Sequence, residues 1–121
     1  MKSTILALFI LLSVASAQMD AFQQLFDDGN NAYADSSWSK AIAKYDSILI
    51  NGLHHSDLYY NLGNAYYKSE MLGQAIWAYE KGLQLEPNDN DLRHNLIFVK
   101  REAGIAELPK PVFLIRLYNS V

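Results

Sequence analysis

The side chains able to do chemistry in this chain are few, and their spacing argues against catalysis. His54 and His55 are adjacent, but a zinc-type site needs three or four converging ligands. No carboxylate or third histidine stands at a supporting interval, so a transient metal contact is the most the pair offers and no metal is assigned. Asp27, Asp28, Asp35, Asp46 and Glu80 are expected on exposed helix faces or turns, where solvated charge is the ordinary state of a carboxylate, and no two of them form an acid–base pair. The chain has no cysteine, hence no thiol nucleophile, redox pair or disulfide. Neither a glycine-rich phosphate loop nor a serine elbow is present. An enzyme is therefore not expected, and no cofactor is implied. What remains are amides and aromatics that recur together, Asn30 with Tyr33 and Asn64 with Tyr67, a combination suited to holding another polypeptide.

These residues recur because the chain repeats. An offset of 34 residues aligns Gly29 with Gly63, Asn30 with Asn64, Tyr33 with Tyr67, Ala41 with Ala75, Ile42 with Ile76, Tyr45 with Tyr79 and Leu49 with Leu83, without a gap. The segment Asp57-Leu58-Tyr59-Tyr60-Asn61-Leu62 is echoed by Asp91-Leu92-Arg93-His94-Asn95-Leu96 at the same offset. A fixed period of this size marks a stacked-repeat architecture. Within each unit apolar residues return at three- and four-residue steps, as in Leu58, Leu62, Ala65, Tyr66 and in Leu72, Ala75, Ile76, Tyr79, Leu83, which is the helical period. Helices are expected over about 20–33, 38–50, 56–68, 72–85 and 90–103. Ser36 and Ser37 are expected to cap the second helix, and Ser56 or Asp57 the third. Pro87-Asn88-Asp89 separates the fourth from the fifth. Gly29 and Gly63 are expected to face Ala41 and Ala75, letting backbones approach, with Tyr45 and Tyr79 filling the wider gap.

The ends differ from the middle. Met1-Lys2, an apolar run from Ile5 to Val14, and Ala15-Ser16-Ala17 before Gln18 have the order of a signal peptide, with cleavage expected after Ala17; the run is shorter than the about twenty residues usual for a spanning helix. At the other end, residues 105–121 contain Pro109 and Pro111 and the apolar stretch Val112-Phe113-Leu114-Ile115-Arg116-Leu117-Tyr118, read either as an approach to a membrane segment beyond Val121 or as a cap folding over the last helix. The chain carries 10 Lys and Arg against 13 Asp and Glu, and losing Lys2 with the leader makes the remainder more acidic still. Nucleic acid is not an expected partner.

The second unit, with Leu62-Gly63, Tyr66, Ala75, Tyr79 and Pro87, resembles the tetratricopeptide repeat family. The first keeps Gly29, Ala41 and Tyr45 but has Asp28, Ala32 and Leu53 where the family has leucine, tyrosine and proline. The fold implied is all-α: a right-handed helical-repeat solenoid of two helix pairs, residues 22–55 and 56–89, with 90–104 as a capping helix or the start of a third repeat. The leader, Asp57 through Tyr67, His94-Asn95-Leu96 and the tail from Leu108-Pro109 onward also resemble the repeat-bearing member of the bacterial aerotolerance operon (Bat) proteins, which face the periplasm and continue into membrane-spanning segments.

The resemblance implies that the first helices of successive units line a groove for an extended peptide or partner helix. Repeat position then assigns to it Phe26, Asn30 and Tyr33, then Tyr60, Asn64, Tyr67 and Lys68, then His94, Phe98 and Arg101. The alternative role for Asn30 and Asn64 is hydrogen bonding between neighbouring helices, and for the aromatics, inter-repeat core. Some family members grip a terminal carboxylate with two asparagines and three basic residues. Here the asparagines match at Asn30 and Asn64, but Phe26, His94 and Phe98 occupy the basic positions, so an internal, more apolar peptide segment is the better expectation. The function expected is a non-catalytic protein-binding scaffold, exported to the periplasm or anchored in the inner membrane facing it. Self-association through apolar repeat edges, or service as the regulatory repeat segment of a longer protein, are the alternatives.

Overall fold

The computed structural model describes residues 1–105, and the expectations for the tail from Ala106 onward lie outside the described residues. It holds five helices: α1 (Lys2–Ala34), α2 (Trp38–Ile50), α3 (Ser56–Lys68), α4 (Leu72–Leu85) and α5 (Asn90–Glu102). No strand occurs among the described residues. α1 packs on α2 and α3 on α4, while α2 meets α3 and α4 meets α5, the nearest-neighbour stacking of a helical-repeat solenoid.

Four of the five helices fall where periodicity placed them, but α1 begins at Lys2 and not near Asp20. Nothing interrupts it, since neither glycine nor proline occurs between Lys2 and Asp28, the two residue types that break helices most strongly. The helix is about 50 Å long at ~1.5 Å per residue. Its residues up to Ala21 are all exposed, so this portion owes its form to local propensity and not to packing. Its most apolar 18-residue window has a mean hydropathy of 1.9, enough by length and composition to cross a membrane, a test that signal sequences also pass. The apolar run is therefore not too short on this measure.

Within each repeat a three-residue turn reverses the chain, and both turns use the same backbone device. Ser36 (φ 58°) and Glu70 (φ 61°) sit in the left-handed region. Each turn is closed by paired amides: Ser36 N–H donates to Tyr33 and Ser37 N–H to Ala32, while Glu70 N–H donates to Tyr67 and Met71 N–H to Tyr66. These bonds satisfy carbonyls left open at a helix end. The expected side-chain caps are replaced. Ser37 stands at the N-cap of α2 but its hydroxyl makes no capping bond, because the turn has already positioned it through the backbone. α3 is capped by His55, whose ring accepts from the Asp57 amide, and not by Ser56 or Asp57. Ser56 is buried. Asp89 caps α5, accepting from the Leu92 amide at 2.9 Å.

The core forms in two clusters. One gathers Ala32, Ala41, Tyr45, Ile48, Leu58, Tyr59, Leu62, Ala65 and Ala78; the other gathers Ala75, Tyr79, Leu92, Leu96 and Val99. Gly29 and Gly63 face tyrosine rings, not the alanines expected opposite them. A Cβ on Gly29 would lie 2.5 Å from the Tyr45 ring, and one on Gly63 2.5 Å from the Tyr79 ring. Each glycine is thus a notch that admits the tyrosine from the second helix of its own repeat. In α5 the same position, 34 residues past Gly63, is Ile97, which offers no such notch.

Candidate functional site

The two buried tyrosines do more than fill space. Tyr45 Oη donates to Asn30 Oδ1 at 2.7 Å, and Asn61 Nδ2 donates to the same oxygen at 3.0 Å. One repeat on, Tyr79 Oη donates to Asn64 Oδ1 at 2.6 Å and Asn95 Nδ2 donates to it at 3.1 Å. Each cluster therefore links three helices: α1, α2 and α3 in the first, α3, α4 and α5 in the second. Burial drives the Tyr45 hydroxyl up to about 12, helped by Tyr33, and raises Tyr79 further still, again chiefly by burial. Both phenols stay protonated donors across the physiological range.

This geometry gives Asn30 and Asn64 the inter-helix role for their carbonyl oxygens. Their amide nitrogens donate to no other described residue, and Asn61 and Asn95 likewise keep their Oδ1 without a described partner. Each repeat junction thus presents one carboxamide donor and one carboxamide acceptor. They lie in two adjoining depressions on the face shared by α1, α3 and α5. The first, about 240 Å³, is lined by Asn30, Tyr33, Tyr45, Asn61 and Asn64. The second, about 330 Å³, is lined by Tyr33, Asn64, Tyr67, Lys68, Tyr79, His94, Asn95, Phe98 and Val99. Tyr33 and Asn64 belong to both, so the depressions form one continuous surface. Tyr33 is fixed edge-on against Trp38 with ring centres 4.9 Å apart, and Tyr67 against Phe98 at 5.6 Å. Aromatics braced in this way offer contact area at little further cost in rotamer freedom.

Seven of the ten residues assigned from repeat position line this surface: Asn30, Tyr33, Asn64, Tyr67, Lys68, His94 and Phe98. The other three do not. Phe26 turns inward, 6.0 Å from the Tyr45 ring, and contributes with Met19, Phe22, Ile48, Leu53 and Leu58 to a separate apolar pocket of about 220 Å³. Tyr60 is half-buried against the second core cluster, and Arg101 is exposed in the last turn of α5 without lining either depression. Asn61, Asn95, Tyr45 and Tyr79 are the additions. Their signal was available, since each pair repeats at the same 34-residue offset, but a repeated tyrosine reads equally well as plain core.

Several other polar residues make contacts within the fold. His54 Nδ1 is 2.8 Å from Tyr59 Oη and its ring stacks on that tyrosine, while His55 is the α3 cap. Asp28 is half-buried rather than exposed; the hydrogen bond from Gln24, with Lys44 Nζ at 3.4 Å, holds its carboxyl below the usual range. Asp46 is also half-buried, and desolvation raises it. Glu80, the residue one repeat beyond Asp46, pairs with Lys100 at 3.2 Å.

No curated protein matches the chain. Residues 56–89, the α3–α4 pair that carries the most complete copy of the pattern, match the family model of the tetratricopeptide repeat, and the chain therefore contains a tetratricopeptide repeat within an all-helical solenoid.

Proposed function

We propose that this chain is a non-catalytic scaffold that binds an extended, predominantly apolar segment of another protein on the face shared by α1, α3 and α5. The observation that carries this reading is the pair of adjoining depressions, each offering a carboxamide donor and acceptor between braced aromatic rings. A peptide backbone has the complementary acceptor and donor at every residue, and apolar side chains suit the rings. Tetratricopeptide repeats generally bind protein partners, which supports the same reading. We further propose export, with cleavage after Ala17. In support, the residues ahead of that bond are all exposed, so removing them takes away no core contact. The resemblance to the repeat-bearing Bat proteins would place the scaffold at the periplasmic side of the inner membrane.

The test is site-specific photocrosslinking in the intact cell. A crosslinking residue is placed at Phe98 or Lys68 on the proposed face, and at Trp77 or Gln84 on α4 as the comparison. Adducts to one partner protein from the first pair alone are expected. Adducts from α4 alone would overturn the site, and adducts only between copies of this chain would replace the reading with self-association.

A further inference from the structure

From the position and surroundings of Gln18 we infer a chemical modification of the mature chain: its amino-terminal glutamine closes to a pyroglutamyl lactam. The inference rests on the cleavage reading above. Cutting after Ala17 makes Gln18 the first residue, and Gln18 is exposed, at the rim of a shallow depression that it lines with Met19, Phe22 and the turn at Asn51, Gly52 and Leu53. The new α-amine and the side-chain carboxamide then belong to one solvent-exposed residue.

The local electrostatics favour the reaction. The shortened α1 would start at or next to Gln18, where unpaired backbone amides give the helix its positive pole. An α-ammonium there is repelled, so a larger share of the amine is present as the free base, which is the nucleophile. The amine nitrogen attacks the side-chain Cδ, a C–N bond forms, the bond from Cδ to the amide nitrogen breaks, and that nitrogen leaves as ammonia. The product is a five-membered lactam; no oxidant, metal or cofactor is consumed. It carries no charge, so the repulsion at the pole disappears, while Asp20 stays in the first turn where a carboxylate is favoured. Residues 19–34 keep the packing of Phe22 and Phe26 against the core cluster that includes Ile48 and Leu58.

The experiment is intact-mass and amino-terminal peptide mass spectrometry on the full chain expressed in an exporting bacterial host and recovered from the envelope, beside Gln18→Asn and Gln18→Ala. The wild type is expected to start at residue 18, with a mass lower by one ammonia than the free-amine form and no labelling by an amine-directed reagent at its terminus. Gln18→Asn, whose amide could close only to a strained four-membered ring, and Gln18→Ala are expected to keep a labelled, free terminus. A wild-type chain starting at Gln18 with a free amine overturns the lactam and leaves the cleavage reading intact. A terminus at Met1 or at another residue overturns both.

Discussion

Gly63 and Tyr79 make one contact whose two halves lie on different helices. With a Cβ on Gly63 falling 2.5 Å from a ring that is itself buried, Gly63→Ala forces the ring or the helices apart. Overpacking of this kind costs about 1–3 kcal/mol, which outweighs the up to ~1 kcal/mol that alanine gains over glycine in a helix. Denaturant unfolding of Gly63→Ala and Gly29→Ala should show that loss. Gly73→Ala, where the added Cβ meets nothing within 4 Å, should be neutral or stabilising. Asn30 and Asn64 call for a different substitution. Alanine leaves a buried tyrosine hydroxyl without its acceptor, which costs about 1–3 kcal/mol, and so confuses folding with binding. Asn64→Asp keeps an oxygen that can accept from Tyr79 and Asn95 and exchanges the amide donor for a negatively charged acceptor, which repels the peptide carbonyl the donor would have met. The expected outcome is weakened partner capture from Asn30→Asp and Asn64→Asp, measured by the crosslinking yield at Phe98, with a helical circular dichroism spectrum matching wild type.

At the scale of elements, each repeat is closed by a left-handed residue that is not glycine. Ser36 and Glu70 occupy that conformation at the end of α1 and α3, where a side chain is strained and glycine is not. Glu70→Gly should therefore raise stability by roughly 0.5–1 kcal/mol, read as a higher denaturation midpoint. The reverse holds at Gly52 (φ 89°), where alanine should lower it. Helix α5 is held by Leu92, Leu96 and Val99 against Ala75 and Tyr79, and the Lys100–Glu80 ion pair lies alongside. Leu92 is completely buried, so Leu92→Ala should cost about 2–5 kcal/mol, with amide exchange across residues 90–102 accelerating before that of α3. The partly exposed ion pair contributes little, about 0–1 kcal/mol, so Lys100→Ala should leave α5 docked.

For the molecule as a whole, the two tyrosine–asparagine clusters tie three helices each and share α3, which makes folding of the repeats interdependent. Their protonation sets an alkaline limit. A tyrosine in the unfolded chain titrates near ~10, whereas Tyr45 is held up to about 12 and Tyr79 is raised as well, both chiefly by burial. A folded value raised above the unfolded one gives stability that is complete below pH ~10 and is lost as pH climbs from there through about 12. Unfolding free energy should accordingly fall steeply over that window, and the fall should be shallower in Tyr45→Phe and Tyr79→Phe, whose cost at neutral pH is that of the lost hydrogen bond, about 0.5–1.5 kcal/mol.

The repeat, its helix boundaries after residue 35 and most of the residues lining the α1–α3–α5 surface were legible in the sequence, because all three follow from periodicity. A residue's place in a 34-residue period assigns it to a helix and a face before any contact is known, and seven assigned residues indeed meet on one surface. The start of α1 was hidden by the opposite cause: a segment exposed along its whole length is shaped chiefly by propensity, and the reading of it as a separate leader said nothing about where its helix stops. Tertiary structure alone decided which atoms the asparagines keep for themselves. Period placed Asn64 beside the groove, but only the packed arrangement of α3, α4 and α5 shows its oxygen shared between Tyr79 and Asn95, leaving its nitrogen outward. It also decided that Gly29 and Gly63 face tyrosine rings and that Phe26 turns into the core, since side-chain neighbours across helices depend on crossing geometry that a linear pattern does not contain.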